Sequence, residues 1–347
     1  MTEIRPLTHD DLPAVGILLD ELLPDWGGDR EFLATTVLDH PWADPEVTSL
    51  VAIADDGQPV GFIGAQVRRV RFEDQVLTGV CCSHLVVAQN RRAGAAGALL
   101  LGRLLSGSQD LTWSDSATEV VTRIWRTYGG SFDHTRACDW MLVLRPLGWL
   151  ASWARAAVRR QSFDRELIPV GAFPVHTLAR RRGARPDHGA VGEDASPARI
   201  VAELPNLLSR TRVWVDYDEA HLSHLFAQIR RQSGELVTRI VRARDRPIGW
   251  YAYLPRKATA SRVLHICASD RHAEMVLDEL VADARGRGAR VLAGRLEPHL
   301  DGALQRRMAA IGLSRAPVLH AKDPELRAAL AGSDGLLTQL DSEWFVT

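Results

Sequence analysis

The sequence predicts an α/β (α+β) fold of two tandem domains, each a mixed, mostly antiparallel sheet flanked by helices. Segments with a strand pattern alternate with amphipathic helical segments, and antiparallel hairpins stand within this alternation. One hairpin has a later counterpart, because Pro59-Val60-Gly61-Phe62 resembles Pro247-Ile248-Gly249-Trp250. A chain of 347 residues is long enough for two such units, so we interpret the second half as a duplication of the first.

The first half begins with a short strand at Ile4–Leu7, and Thr8 or Asp10 can cap the helix that follows. The turn Asp55-Asp56-Gly57 separates the two strands of the hairpin. Gly129 and Gly130 end the last helix. The predicted strands of this half are 4–7, 50–54, 60–70, 76–87, 111–113 and 140–144, and the predicted helices are 12–22, 31–38, 99–105 and 117–128.

Composition excludes several classes of function. A net charge of -1 gives no overall attraction to nucleic acid or to a membrane surface. No apolar run reaches the roughly 18–20 residues that a membrane span needs, and the polar N-terminus is unlike a signal peptide. The four cysteines form no C-x-x-C pair, so we expect free thiols, no metal site and a cytoplasmic location.

The composition changes after residue 145. Arginines are frequent between residues 155 and 185, whereas Asp164 and Glu166 are the acidic residues of that stretch. Residues 183–197 are rich in Gly, Ala, Pro and Asp, as expected of a linker. We therefore predict a first domain over 1–145, a basic helical segment and linker over 146–199, and a second domain over 200–347.

The most informative motif lies at the junction of a strand and a helix. The strand ending at Val87 is followed by polar residues, by the small-residue stretch Arg91-Arg92-Ala93-Gly94-Ala95-Ala96-Gly97, and by a leucine-rich helix. Such a junction directs backbone N–H groups and a helix N-terminus at one point, which favours a diphosphate. It contains neither the Lys-Ser/Thr of a P-loop nor a G-x-G-x-x-G pattern, which argues against nucleotide hydrolysis and hydride transfer.

This stretch resembles the acyl-CoA-binding motif of the GCN5-related N-acetyltransferase superfamily, V-x-P-x-x-R-x-x-G-x-G/A. Arg91, Gly94 and Ala96 match its R-x-x-G-x-G/A part, Ala88 replaces the usual proline, and Val87 ends the apolar strand that leads into the motif. The first strand, the hairpin and the end of the later helix also resemble that family, so the resemblance covers residues 1–145. It implies that acyl-CoA, with acetyl-CoA as the default, is the acyl donor, and that the protein is an acyltransferase.

The resemblance assigns roles along the strand that enters the motif. Backbone N–H groups of Leu85, Val86 and Val87 would bind the thioester carbonyl, and residues 91–97 would hold the diphosphate. Family members often have a glutamate near this point as the base; His84 stands there in this chain. A neutral imidazole can accept a proton near pH 7, so we predict His84 as the base.

The family's proton donor to the leaving thiolate is a tyrosine on the later helix, four residues before a glycine. Trp125 occupies that position in the direct alignment, and an indole is not an acid at neutral pH. Tyr128, three residues later, is the alternative donor that we predict. Ser114 and Asp115 are further polar candidates with expected loop and capping roles.

The second half repeats the pattern in weaker form. After its strand at 263–268 the loop Ser269-Asp270-Arg271-His272 has no glycine, and Asp270 would repel phosphate, so we expect no acyl-CoA there. Its other predicted elements are helices at 217–231, 273–286 and 304–311 and strands at 236–243, 248–254 and 290–294. His221 and His224 have a metal-pair spacing without a third ligand, and Tyr251 and Tyr253 are expected to pack on the sheet.

Three functions fit these observations. The first is N-acyl transfer from acyl-CoA to a small-molecule amine acceptor. The second uses an aminoacyl-tRNA or acyl carrier protein as donor, because the basic segment could bind RNA phosphates or an acidic carrier. The third is a non-catalytic protein that binds acyl-CoA. Fold alone does not identify an acceptor.

Overall fold

The computed structural model describes residues 2–23, 26, 28–88, 95–134, 136–145 and 189–345. Within these ranges the strands are β1 (Glu3–Pro6), β2 (Leu50–Ile53), β3 (Pro59–Phe72), β4 (Gln75–Val87), β5 (Leu111–Ser114), β6 (Ser131–Phe132), β7 (Cys138–Val143), β8 (Ala190–Asp194), β9 (Val213–Val215), β10 (Val237–Ala243), β11 (Arg246–Leu254), β12 (Ser261–Ala268), β13 (Val291–Arg295), β14 (Ala310–Leu313), β15 (Val318–Ala321) and β16 (Gly335–Leu336). The helices are α1 (Leu12–Leu22), α2 (Arg30–Val37), α3 (Ala96–Leu105), α4 (Glu119–Thr127), α5 (Pro197–Leu207), α6 (Glu219–Ser233), α7 (Ala273–Gly286), α8 (Asp301–Arg306) and α9 (Pro324–Ala331). In the described ranges no helix is both long enough and apolar enough to cross a membrane.

Helices begin where the sequence supplies a capping side chain. Asp29 accepts a hydrogen bond from the backbone N–H of Phe32 at the start of α2. Asp218 accepts one from the backbone N–H of His221 at the start of α6. These carboxylates satisfy N–H groups that have no partner within the helix. Helix α6 ends at Gly234, whose φ of 83° is in the region that glycine adopts most easily.

The strands form two mixed sheets. The first has the order β1-β2-β3-β4-β5-β15-β6, with β9 also paired to β3 and β16 paired to β9; the second has the order β14-β7-β13-β12-β11-β10-β8. Most neighbours are antiparallel, while β4–β5, β9–β16 and β12–β13 are parallel. The predicted pair of mixed, mostly antiparallel sheets flanked by helices is confirmed.

The two halves of the chain exchange strands. Strand β7, which the sequence predicted as the last strand of the first domain, lies between β13 and β14 of the second sheet. Strand β15 comes from the second half and lies between β5 and β6 of the first sheet. Sequence periodicity predicts that a segment is a strand but does not name its partner. The proposed boundaries near residues 145 and 200 remain predictions.

Two further elements differ from the sequence prediction. The helix expected over 304–311 ends at Arg306, Met308 has a φ of 53°, and Ala310–Leu313 is strand β14. A left-handed residue interrupts the helix and lets the chain return to the sheet edge. Part of the expected linker is strand β8, which covers the edge of the second sheet by pairing with β10.

Apolar side chains form layers on both sides of the first sheet. Helix α3 covers one face with Leu100 and Leu104, together with Trp125 of α4. Helices α1 and α2 cover part of the other face with Leu19 and Leu33. The rest of that face packs on the second sheet through a core that includes Trp113, Phe226, Trp250 and Trp344. The C-terminal residues therefore lie between the two sheets.

Candidate functional site

Strands β4 and β5 separate at the middle of the first sheet. They pair in parallel at only three positions, from Gly79 with Leu111 to Cys81 with Trp113. Beyond that point β5 ends at Ser114, whereas β4 continues to Val87. We call the space beside residues 82–87 of β4 and residues 114–116 the β4–β5 opening. Along this edge of β4 no described strand is paired, so those backbone groups that point away from β3 face the opening.

A β-bulge lies in β4 at this opening. Phe62 of β3 pairs with Val86, and Gly64 pairs with Ser83, so β4 contains one more residue than β3 between these pairs. His84 is in the bulge and has a φ of 52°. This conformation costs a non-glycine residue of order 1–3 kcal/mol, and such strain concentrates at functional sites.

The His84 side chain is buried and neutral. It is 9% exposed, its ring stacks on Phe345 with centroids 5.0 Å apart, and its Nδ1 has no hydrogen-bond partner. Burial lowers the pKa of His84 to about 4, because the charged imidazolium is poorly solvated there. At pH 7 the imidazole is therefore uncharged and can accept a proton.

The end of β4 and the start of α3 lie against each other. A Cβ atom added to Gly97 would lie 3.1 Å from Cγ2 of Val87, so a small residue is needed for this approach. Ala96 begins the helix and is fully buried in the core with Leu100. The structure thus brings Val87 and residues 95–97 together. The predicted diphosphate ligands Arg91, Arg92, Ala93 and Gly94 lie outside the described residues.

The side chains of the predicted thioester strand are occupied by packing. Leu85 and Val87 contact the core beneath α3, and Val86 contacts the core beneath α1. These three residues can therefore contact a ligand in the opening only through their backbone groups.

Tyr128 and His84 are not in contact. Tyr128 caps the C-terminus of α4, is 42% exposed, and would collide with a Cβ atom on Gly102 of α3. Because Gly102 is six residues, or about 9 Å, along α3 from Ala96, the Tyr128 hydroxyl lies well away from the start of that helix. Trp125 is 1% exposed within the core, and its indole Nε1 has no hydrogen-bond partner.

The C-terminal segment fills part of the β4–β5 opening, a position that the sequence pattern did not predict. Glu343 accepts hydrogen bonds from the Ser114 hydroxyl (2.8 Å) and from the backbone N–H groups of Asp115 (2.7 Å) and Ser116 (3.1 Å). Trp113 Nε1 donates to the Ser342 hydroxyl at 3.0 Å. The run Asp341 to Phe345 mixes acids with large aromatic side chains; this composition is the one sequence signal that the tail packs inside the protein.

Glu343 has an unusual pKa. Its carboxylate is 2% exposed, and burial together with the nearby charge of Asp115 raises its pKa to about 7, although hydrogen bonds from Ser114, Asp115 and Ser116 oppose this change. The group is therefore close to half-protonated near neutral pH.

A buried ion-pair network connects the opening to the second sheet. The carboxylate of Asp115 accepts two hydrogen bonds from Arg295 of β13, at 2.6 and 2.7 Å, and Arg295 also donates to Glu297 at 2.9 Å. Burial alone would lower the pKa of Arg295, but the carboxylates of Asp115 and Glu297 together raise it above its ordinary value, so the guanidinium stays charged. The expected loop role of Asp115 is thus a bridge between the two halves.

The remaining candidates of the second half pack against other side chains or against the backbone. His221 stacks on Trp42 with centroids 3.6 Å apart, and His224 is 3.0 Å from the backbone oxygen of Thr35. Across the described ranges no cluster of three His, Cys, Asp or Glu side chains is placed to hold a metal. Tyr251 and Tyr253 are fully buried in the second sheet's own core.

By sequence, the chain matches no family model and no curated protein. By structure, it is similar to a GCN5-related N-acetyltransferase from Kribbella flavida, at 15% identity and a TM-score of 0.55, over 92% of this chain and 72% of that chain. A GCN5-related N-acetyltransferase from Anabaena variabilis gives 11% identity, a TM-score of 0.58, and coverage of 93% and 73%. For Saccharomyces cerevisiae N-myristoyltransferase with bound myristoyl-CoA the identity is 12% and the TM-score is 0.52, over 93% of this chain and 86% of that chain.

Each of these similarities spans more than nine-tenths of the chain and so includes both sheets. Identities of this size establish a shared fold rather than a shared activity. The resemblance predicted for residues 1–145 therefore extends to the second half. The chain has the fold of the GCN5-related N-acetyltransferase superfamily, arranged as two tandem domains.

Proposed function

We propose that this protein is an N-acyltransferase that moves an acyl group from acyl-CoA to the amine of a small molecule. One observation carries the proposal: β4 separates from β5 beyond Cys81 and bulges at His84, close to the start of α3. This geometry offers backbone groups on an unpaired strand edge and a strained buried imidazole, and the end of the same strand contacts the start of α3. The bound myristoyl-CoA of the yeast enzyme supports acyl-CoA as a donor class for this fold.

Donor binding is assigned to two adjacent segments. Backbone N–H groups of residues 85–87 would hydrogen-bond the thioester carbonyl, and residues 91–97 would hold the diphosphate at the start of α3. Aligned peptide dipoles at a helix N-terminus stabilise phosphate charge. Acetyl-CoA is the proposed default donor.

The chemistry is a direct attack on the thioester. The amine nitrogen forms a bond to the carbonyl carbon, and the oxyanion is stabilised by N–H groups of β4. The nitrogen then loses a proton to the neutral imidazole of His84, and the C–S bond breaks to release the thiolate of coenzyme A. The ammonium-like N–H of the tetrahedral intermediate is much more acidic than a free ammonium, so a weakly basic imidazole is sufficient.

The leaving thiolate needs no dedicated acid in this proposal, since a thiolate is a stable anion near neutral pH. Trp125 cannot supply a proton. A role for Tyr128 requires its hydroxyl to approach the sulfur, away from its position against Gly102. Tyr128→Phe tests that role: kcat falls if the hydroxyl protonates the thiolate and is unchanged if it does not.

The proposal is tested by measuring thiol release from acetyl-CoA and longer acyl-CoAs with a panel of amines, with the products identified by mass spectrometry. We expect amine-dependent thiol release and an N-acylated product. Tight binding of acyl-CoA without turnover on any amine would instead support the non-catalytic alternative. A gel shift with tRNA at low salt, together with no binding of acyl-CoA, would support the aminoacyl-tRNA alternative.

A further inference from the structure

Arg68 of β3 is a buried cation that no described carboxylate neutralises. It is 3% exposed and donates to two neutral acceptors, the backbone oxygen of Val67 (3.0 Å) and Oε1 of Gln66 (2.9 Å). Its Nε has no hydrogen-bond partner. The two other arginines of this strand differ, since Arg69 pairs with Asp218 at 3.1 Å and Arg71 pairs with Asp216 at 2.6 Å.

A buried charge without a counter-charge is costly. Transfer of a guanidinium from water into the protein interior is strongly unfavourable, and neutral hydrogen-bond acceptors recover only part of the lost solvation. A ligand that brings a negative charge to Arg68 would remove that penalty on binding. The unpaired state of Arg68 is therefore a reason to expect an anion at this position.

Two histidines beside Arg68 also have unused hydrogen-bonding groups. His221 is 2% exposed and neither of its ring nitrogens has a partner, while its ring is fixed by the stack on Trp42. His40 is 7% exposed with an unpartnered Nδ1. Burial and the charge of Arg68 both lower the pKa of His40 and of His221, so both rings are neutral. They can donate hydrogen bonds to a ligand without adding charge.

Arg68 is the one charged group among these side chains, and the buried carboxyl of Asp341 accepts a hydrogen bond from Tyr217 rather than from Arg68. His224 is neutral as well, because burial and Arg68 lower its pKa, and Tyr217 keeps its proton because burial raises its pKa. A single guanidinium with a planar fork matches a carboxylate in both charge and geometry. A phosphate monoester, with about two negative charges at pH 7, would exceed the available positive charge.

The arginine is connected to the β4–β5 opening. Gln66, which accepts a hydrogen bond from Arg68, donates through Nε2 to the Ser83 hydroxyl at 3.2 Å. Ser83 directly precedes His84 of the bulge. Only two side-chain hydrogen bonds thus separate the guanidinium from the residue next to the proposed base.

We propose that Arg68, assisted by His221 and His40, binds a carboxylate of the amine acceptor. The proposal rests on the proposed function, and it assigns the acceptor to the class of amines that also carry a carboxylate. Its amine would lie at the opening near His84, and its carboxylate would lie against the face of β3. Specificity then depends on the distance between these two groups in the acceptor.

The first test compares matched acceptors that differ only by the carboxylate, such as phenylalanine with phenethylamine and other amino acids with their decarboxylated amines. We expect wild type to favour the carboxylate-bearing partner in kcat/KM by about 10- to 100-fold, the range of a charge-assisted pair. Arg68→Gln should remove this preference, and Arg68→Lys, which keeps the charge but not the fork, should retain part of it. Arg71→Gln is the matched control and should leave the preference unchanged.

The second test measures the anion site without acyl transfer. Sodium acetate should raise the Tm of wild type and of Arg71→Gln above that in sodium chloride of equal ionic strength, and Arg68→Gln should show no such difference. His221→Phe preserves the stack on Trp42 while removing both nitrogens, and we expect it to weaken the effect of acetate.

The outcomes separate this inference from the proposed function. Acylation of amines without any preference for a carboxylate, and equal Tm values in acetate and chloride, would overturn the carboxylate site while the acyltransferase proposal stands. An acetate effect that depends on Arg68, with no thiol release from any acyl-CoA, would overturn the acyltransferase proposal and leave the anion site in place.

Discussion

Strands β4 and β12 occupy corresponding places in the two sheets and differ in what surrounds them. Each pairs with the second strand of its hairpin and each contains one extra residue, at His84 in β4 and at Leu264 in β12. The hairpin residue Gly61 pairs with Val87 of β4, and its counterpart Gly249 pairs with Ala268 of β12. Each strand has a buried histidine three residues before that paired position, His84 in β4 and His265 in β12. Each copy thus has a bulge at or next to this histidine, although His265 itself pairs regularly with Ala252.

The two histidines have different partners. His84 has a positive φ and an unpartnered Nδ1, whereas Nδ1 of His265 is 2.8 Å from the Thr338 hydroxyl and its ring stacks on Trp250. The C-terminal segment contacts both of them, through Thr338 at one end and Phe345 at the other. At this duplicated position one histidine is hydrogen-bonded and the other has a free ring nitrogen, as the proposed role of His84 as a base requires.

The loops after the two strands also differ. Eight residues separate β4 from α3, whereas the four residues Ser269–His272 separate β12 from α7. In the shorter loop the Ser269 hydroxyl is 3.1 Å from Nδ1 of His272, and Asp270 lines a cavity of about 380 Å³. A carboxylate there would repel a diphosphate, so this loop is unsuited to hold one.

The largest expected effect concerns this difference between the loops. Gly94→Val, in the small-residue stretch that the sequence assigns to the diphosphate, should abolish binding of acyl-CoA because a branched side chain blocks approach to the backbone. Asp270→Ala in the second loop should leave the affinity unchanged. Calorimetry with coenzyme A measures both, and circular dichroism checks that each variant is folded. Unchanged affinity of Gly94→Val would contradict the assignment of the diphosphate site.

The second prediction separates the two histidines. His84→Ala should lower kcat by about 100-fold through loss of the base, with little change in the affinity for acyl-CoA. His265→Ala should leave the kcat of the folded protein nearly unchanged and lower the free energy of unfolding by about 1–3 kcal/mol, because it removes a buried hydrogen-bonded group. Steady-state kinetics and urea unfolding distinguish these outcomes. Equal effects of the two variants on kcat would remove the asymmetry between the copies.

The third and smallest effect is the pH dependence of stability at the β4–β5 opening. Glu343 has a folded-state pKa of about 7, above its ordinary value of 4.5, so the folded state holds more protons than the unfolded state between these pH values. Its contribution to stability is therefore complete below about pH 4.5 and declines as the pH rises to about 7. Glu343→Gln cannot ionise, so its stability relative to wild type should increase by about 1–3 kcal/mol from pH 5 to pH 8.

Urea unfolding at pH 5 and pH 8 measures this change. Glu119→Gln is the matched control, because the Glu119 side chain is 88% exposed. The stability difference between that control and wild type should be independent of pH. A flat difference for Glu343→Gln as well would show that the carboxylate ionises normally in the folded protein.

Local features of the fold were predictable from the sequence. Alternation of apolar residues and the Asp-Asp-Gly turn predicted β2, β3 and β4 to within a few residues, since strand period and turn chemistry are properties of neighbouring residues. The same reasoning placed α7 over its observed range, Ala273–Gly286. His84 was singled out by the resemblance to the acetyltransferase family, in which a glutamate base stands near this point of the strand.

Contacts between distant parts of the chain were not predictable in this way. The exchange of β7 and β15 and the binding of Glu343 to Ser114 and Asp115 each join segments that are more than a hundred residues apart. Arg68, Arg69 and Arg71 are alike in sequence, and only the surroundings distinguish the buried cation from its two paired neighbours.

The sequence by itself determined the repeated order of strands and helices and the small-residue junction after β4, because these follow from periodicity and local backbone preference. The tertiary structure decided which strands became neighbours, which histidine lost its partners and which arginine was left without a counter-charge. Burial and pairing are set by groups that meet only once the chain is folded, and desolvation by those groups determines the charge and reactivity of each side chain.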